Sequence, residues 1–201
     1  MAANTTLRRA VYLPGNSGNR EFWKPIAARL PNTYDNVFMG WPGMGTNPPD
    51  PNIRGFDDLM ATVKKHMDIP VDLFGQSMGC LPALYFAIEY PQLVRRLVLA
   101  GASKGVDHKR ANQWRSGALH AVGGVPEWLI SAKIDLSDRL RAINIPTLLI
   151  WGSEDNVPVG EFLQATMPNA RLVVIPGGGH RCPAEIPDAV APHIAAFLTE
   201  P

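Results

Sequence analysis

Cysteine is scarce in this chain, with 2 residues, Cys80 and Cys182, in 201. Set so far apart they make no disulfide framework, and no Cys/His cluster has the spacing of a zinc site. Charge of one sign is missing too. The 19 Lys and Arg against 18 Asp and Glu leave a formal net charge of +1, which offers no field to nucleic acid or another highly charged partner. No apolar run approaches the length of a membrane span. The short polar stretch from Met1 to Arg9 lacks the apolar core of a signal peptide. These absences predict a cytosolic protein that uses no metal and no cofactor and binds neither nucleic acid nor membrane.

What is present is an ordinary globular balance, 46% apolar and 18% charged residues. That is enough for one domain with a sizeable core over residues 1–201. Strand-like and helix-like segments alternate along it. Arg9 to Leu13 reads as a strand ended by Pro14-Gly15, and Glu21 to Leu30 carries Phe22, Trp23, Ile26, Ala27 and Leu30 at helical spacing. Asn36 to Met39 is a second short strand. The prolines and glycines from Gly40 to Asn52 exclude regular structure, and Arg54 to Met67 resumes as a helix. Val71 to Phe74, Val94 to Ala100, Thr147 to Trp151 and Leu172 to Ile175 are further strands. Met78 to Tyr90, Ser137 to Ile143 (with Ser137 as its cap), Val159 to Met167 and Pro187 to Leu198 are helical. Near-continuous apolar strands separated by helices predict an α/β fold with a parallel sheet covered on both faces, and right-handed crossovers bring the loops after the strands to one edge.

The densest signal is Phe74-Gly75-Gln76-Ser77-Met78-Gly79. An apolar strand enters it and a helix leaves it, so Ser77 stands on a sharp turn between them. Gly75 and Gly79 let the backbone approach neighbouring chain where a Cβ would clash, which lifts the serine hydroxyl clear of the sheet edge. The helix that follows begins with N–H groups lacking intrahelical partners, so Met78 N–H is aimed at a negative oxygen forming on a substrate carbonyl. Gly-x-Ser-x-Gly alone occurs by chance in many chains; the strand before it and the helix after it give it weight.

Two later loops share that edge. Gly152-Ser153-Glu154-Asp155 follows one strand, and Gly177-Gly178-Gly179-His180 follows the next. A serine hydroxyl attacks only when an imidazole takes its proton and a carboxylate holds the other ring nitrogen. Ser77, Asp155 and His180 supply those three types. Each partner has a plainer reading, Asp155 as a helix cap and His180 as a solvated turn residue, and Glu154 is an alternative acid.

These motifs, with Leu13-Pro14-Gly15-Asn16-Ser17-Gly18 and Phe22-Trp23 upstream, Gly40-Trp41-Pro42-Gly43-Met44-Gly45, and Glu185-Ile186-Pro187 after the histidine, make the sequence resemble the α/β-hydrolase family nearly end to end. The resemblance implies nucleophile Ser77, acid Asp155 and base His180. It implies an oxyanion hole from the N–H groups of Met78 and, by position, Asn16, with Ser17 as the fallback. Pro14-Gly15 replaces the usual His-Gly of the family. The sequence begins at what would be the family's third strand, so a sheet of about six parallel strands is expected. Residues 104–133 form a small insertion, short for a family cap, which predicts an open nucleophile.

Within the insertion, Ser17 aside, Trp114, Leu119, His120 and Trp128 are the candidate substrate contacts; the apolar ones equally suit anchoring the insertion to the core. Lys104, Lys109, Arg110 and Arg115 form a basic cluster, either a solvated face or an attractor for an anionic substrate or acyl carrier. Cys80 reads as buried packing. The reaction expected is hydrolysis of a small-molecule carboxylic ester or thioester through an acyl-enzyme on Ser77. Acyl transfer and carbon-carbon bond hydrolysis use the same triad. A non-catalytic small-molecule binding protein of this fold is the reading from a different class.

Overall fold

The computed structural model describes residues 8–102, 106 and 134–200. Six strands, β1 (Arg8–Leu13), β2 (Tyr34–Phe38), β3 (Val71–Gln76), β4 (Val94–Ala100), β5 (Thr147–Gly152) and β6 (Ala170–Ile175), form one sheet in the order β2-β1-β3-β4-β5-β6. Every pairing is parallel. The helices are α1 (Lys24–Ala27), α2 (Phe56–Lys64), α3 (Cys80–Glu89), α4 (Val157–Thr166), α5 (Cys182–Glu185) and α6 (Pro187–Thr199).

The central strands β1, β3, β4 and β5 are mostly apolar because each of their faces meets its own core. Val11, Leu13, Leu73, Leu97, Leu99, Leu149 and Trp151 pack with residues of α2, α3 and α4. Their chain neighbours Ala10, Tyr12, Phe74, Val98, Ala100, Leu148 and Ile150 pack with α1 and α6 on the other side. Successive side chains of a strand point to opposite faces, so one continuous apolar run feeds both cores.

Three elements differ from the sequence expectation. The helix expected over Glu21 to Leu30 contracts to α1 because Pro25, lacking an N–H, is accommodated in a first turn. Ser137–Ala142 is a 3-10 turn, and Ser137 does not cap it; Asp135 Oδ1 accepts from Ser137 N at 2.9 Å instead. The turn at Ser77–Gly79 is also 3-10 and passes into α3, whose first turn holds Pro82 where the missing N–H is harmless. Of the insertion over 104–133, the structure describes Val106, which is buried in the α2/α3/α4 core.

At the edge away from the candidate site, Asp72 is fully buried. It accepts from Arg95 Nε at 2.9 Å and from Tyr34 Oη at 2.9 Å, which satisfies its charge inside the fold.

Candidate active site

Ser77 follows β3 with φ +51°, the sole non-glycine residue with positive φ among those described. This left-handed geometry costs a residue with a Cβ about 1 kcal/mol or more, and such strain concentrates where function needs it. The two flanking glycines make the turn possible. A Cβ on Gly75 would stand 2.7 Å from Gly79 O and 2.9 Å from Cys80 Cα, and one on Gly79 would stand 2.4 Å from Leu13 O and 2.5 Å from Pro14 O. Backbone on both sides leaves room for hydrogen alone.

The loop after β1 is held against this turn. Gly18 N donates to Gly15 O at 3.0 Å, so Asn16 and Ser17 are the corners of a tight turn. A Cβ on Gly15 would lie 3.3 Å from Ser77 Cβ, which sets the loop directly beside the serine. Two buried indoles fix its approach: Trp23 Nε1 donates to Leu13 O at 3.1 Å and Trp41 Nε1 to Pro14 O at 2.8 Å. From the irregular segment after β2, Asn47 Nδ2 donates to Gly18 O at 2.7 Å and to Met44 O at 2.9 Å. A Cβ on Gly45 would meet Ser17 O at 2.3 Å. The proline- and glycine-rich loop is thus the brace of the Asn16 turn.

Asp155 and His180 come together across the ends of β5 and β6, with His180 Nδ1 donating to Asp155 Oδ2 at 2.9 Å. The carboxyl feels opposing effects. Burial pushes it up, but the His180 hydrogen bond, the Asn156 backbone N–H and the nearby imidazole charge pull it below the usual carboxylate range. An ionised Asp155 accepts only, so Nδ1 carries a proton in this bond, and in the neutral form of the ring the lone pair is on Nε2. The neighbouring Glu154 has no such contact; its N–H is used on Gly178 O at 2.9 Å. The pair sits in a notch left by Gly101, φ +57°, where a Cβ would press on both side chains.

Gln76 joins the two halves. It is 4% exposed, and its Nε2 donates to the His180 main-chain oxygen at 3.3 Å. Sequence reasoning passed over Gln76 and Gly101, one an unspecified position within Gly-x-Ser-x-Gly and the other a mere strand end.

The expectation of an open nucleophile is corrected. Ser77 is 4% exposed, whereas the His180 side chain is 43% exposed. The Gly15 loop lies directly against the serine, and the accessible member of the three is the imidazole. Ser17 is exposed, and its hydroxyl is engaged locally, accepting from Asn19 N at 3.4 Å. Trp114, Leu119, His120 and Trp128, with the basic cluster of the insertion, lie outside the described residues. Cys80 is buried, with Sγ 3.3 Å from Gly75 O, and burial pushes its thiol far up. Cys182 is buried as well; burial first, then the charges of Asp155 and Glu185, push its thiol up to about 11. Neither thiol is poised to react.

Residues 11–130 match the family described as alpha/beta hydrolase fold. The chain is 26% identical over 226 aligned positions to pimeloyl-(acyl-carrier protein) methyl ester esterase of Neisseria meningitidis serogroup B, covering 87% of this chain and 86% of that one. It is 26% identical over 222 positions to 2-hydroxy-6-oxononadienedioate/2-hydroxy-6-oxononatrienedioate hydrolase of Cupriavidus pinatubonensis, covering 83% and 77% respectively. Among solved structures it superposes on a hydrolase from Pseudomonas aeruginosa with a TM-score of 0.78 at 21% identity, covering 96% of this chain and 90% of the other.

Proposed function

The chain belongs to the alpha/beta hydrolase fold family and is a hydrolase, and from that premise we propose that it cleaves a carboxylic ester or thioester through an acyl-enzyme on Ser77. One observation carries the reading: on the sheet edge where the serine is held at φ +51°, an imidazole and a carboxylate are paired at 2.9 Å. In this mechanism His180 Nε2 takes the Ser77 proton as Oγ attacks the carbonyl carbon. Asp155 stays ionised and stabilises the imidazolium. The tetrahedral oxyanion accepts from the N–H groups of Met78 and Asn16, each worth about 3 kcal/mol of barrier. Collapse expels the leaving group, which takes its proton from His180. Water, activated by the same nitrogen, then releases the acid and restores Ser77.

The likeness to a methyl ester esterase favours a carboxylic ester as the substrate class. The relative named as a hydrolase of an oxo-dienedioate motivates carbon-carbon bond hydrolysis as the second reading. Cytoplasmic action belongs to the same proposal, supported by two free cysteines in place of a disulfide. No helix among the described residues is long and apolar enough to cross a membrane.

The test is hydrolysis of p-nitrophenyl esters across acyl lengths, with Ser77→Ala in parallel and a vinylogous 1,5-diketone as the carbon-carbon substrate. Ester turnover by wild type with loss of nearly all of it in the folded variant supports the proposal. Equal turnover by both proteins overturns the mechanism, and diketone cleavage without ester cleavage transfers it to the second reading.

A further inference from the structure

The sequence places a primary amide where packing alone would choose an apolar side chain. Gln76 lies two residues beyond Phe74 on the same strand, hence on the same face of the sheet, and Phe74 is core on that face. Burying an amide costs free energy unless its polar atoms are used, so an amide that is 4% exposed at this position has a task.

The contacts say what the task is. Nε2 donates to the main-chain oxygen of His180, 104 residues away, at 3.3 Å. Oε1 points at residue 15, where a Cβ would stand 2.3 Å from it. The backbone of Gln76 continues directly into Ser77. One side chain therefore touches the loop bearing the proposed base and the loop bearing the proposed second oxyanion donor, and it is covalently next to the proposed nucleophile. The His180–Asp155 bond fixes the orientation of the imidazole, but it does not fix the distance from the histidine loop to the β3 turn. The Gln76 bond spans that gap.

Resting on the reading of Ser77 and His180 as nucleophile and base, we propose that Gln76 is a positioning residue that holds the His180 main chain, and with it the imidazole, in register with Ser77. It touches no reacting atom. It acts through His180, so its loss slows the proton transfers while leaving substrate binding in place. Gly15 is the matching half of the device, because any side chain there would expel the amide.

The experiment uses the full chain with p-nitrophenyl ester substrate and four variants. Gln76→Met keeps the length and removes the donor, and Gln76→Glu keeps an oxygen toward Gly15 while losing the N–H toward His180. Gln76→His restores an N–H, since its Nε2 lies the same number of bonds from the backbone. Ser77→Ala reports on the underlying mechanism. Misplacement of a catalytic group by a fraction of an ångström to 1 Å lowers turnover by about 10- to 100-fold. That loss is expected in kcat for Gln76→Met and Gln76→Glu, with KM within about 2-fold of wild type and Gln76→His recovering most of the rate. A purely structural role would lower Tm in the Met and Glu variants while kcat per folded molecule stayed at the wild-type value. That result, or wild-type kcat with unchanged Tm in either variant that folds, overturns the proposal. Turnover retained by Ser77→Ala overturns the mechanism beneath it, which separates the two failures.

Discussion

A methyl group placed on Gly101 would stand 3.0 Å from both Cε1 and Nδ1 of His180 and 3.1 Å from Asp155 Oδ2. The residue that ends β4 thus forms the floor under the imidazole-carboxylate pair, at a backbone angle, φ +57°, that side chains with a Cβ rarely adopt. The two requirements reinforce each other. Only hydrogen fits beneath the pair, and only glycine accepts the turn that places it there.

Gly101→Ala should therefore reduce kcat by about 100-fold, because the pair must shift by a few tenths of an ångström and the turn must strain. Gly179→Ala is the contrast. It adjoins His180, yet a Cβ there meets nothing within 4 Å and its φ is ordinary, so its stability should be unchanged or raised by about 0.4–1 kcal/mol. Steady-state kinetics and thermal unfolding of the two variants check both statements.

The strain at Ser77 predicts an order of stabilities among inactive variants. Ser77→Gly removes the cost of a Cβ at φ +51°, whereas Ser77→Ala retains it. The glycine variant should melt about 2–4 °C above the alanine variant, the shift expected from about 1 kcal/mol in a chain of this size. Equal Tm values would show that the turn relaxes without the hydroxyl.

Asp155 makes a pH-dependent contribution whose sign follows from its lowered carboxyl. A carboxyl held below its unfolded value of about 3.9 binds fewer protons when folded, so it stabilises the fold above that pH and loses the contribution as pH falls through the folded value. The Tm difference between wild type and Asp155→Asn should be full at about pH 6 and shrink below about pH 4. The same substitution should cost about 1,000- to 10,000-fold in kcat, since an amide no longer enforces the proton on His180 Nδ1.

The Asp72–Arg95 pair predicts a loss of stability without a loss of chemistry. Asp72 is fully buried and depends on Arg95 and Tyr34, so Arg95→Ala strands a buried carboxylate at a cost of about 3–5 kcal/mol. Being at the opposite strand ends from Ser77, the variant should keep its kcat per folded molecule. Denaturant unfolding and kinetics at low temperature check the two halves.

Legibility differed by the range of the interactions involved. Val94–Ala100 was readable to the residue because five of its seven positions are apolar, ending in the unbroken run Leu97 to Ala100, as a strand buried on both faces of a parallel sheet requires. Ser77, Asp155 and His180 were readable as types on one edge, since topology alone carries the loops there. Helix α1 was overestimated because apolar spacing continues through Pro25, whose missing N–H the spacing does not register. The openness of Ser77 was overestimated too, as the length of an insertion says nothing of how deeply the strand-to-helix turn itself sets the serine, which is 4% exposed.

Local sterics and short apolar runs separated by helical periods are written along the chain, so the amino-acid order was sufficient for the parallel α/β sheet, the strained serine turn and its two glycines. The partners across the fold were not available at that level. Gln76 on the His180 carbonyl, Trp23 and Trp41 on the carbonyls of Leu13 and Pro14, Asn47 bracing Gly18, and Gly101 beneath His180 join segments from 10 to 104 residues apart. Such contacts arise where strands already paired in the sheet bring their loops together, and nothing in either segment alone specifies which atom of the other it will meet.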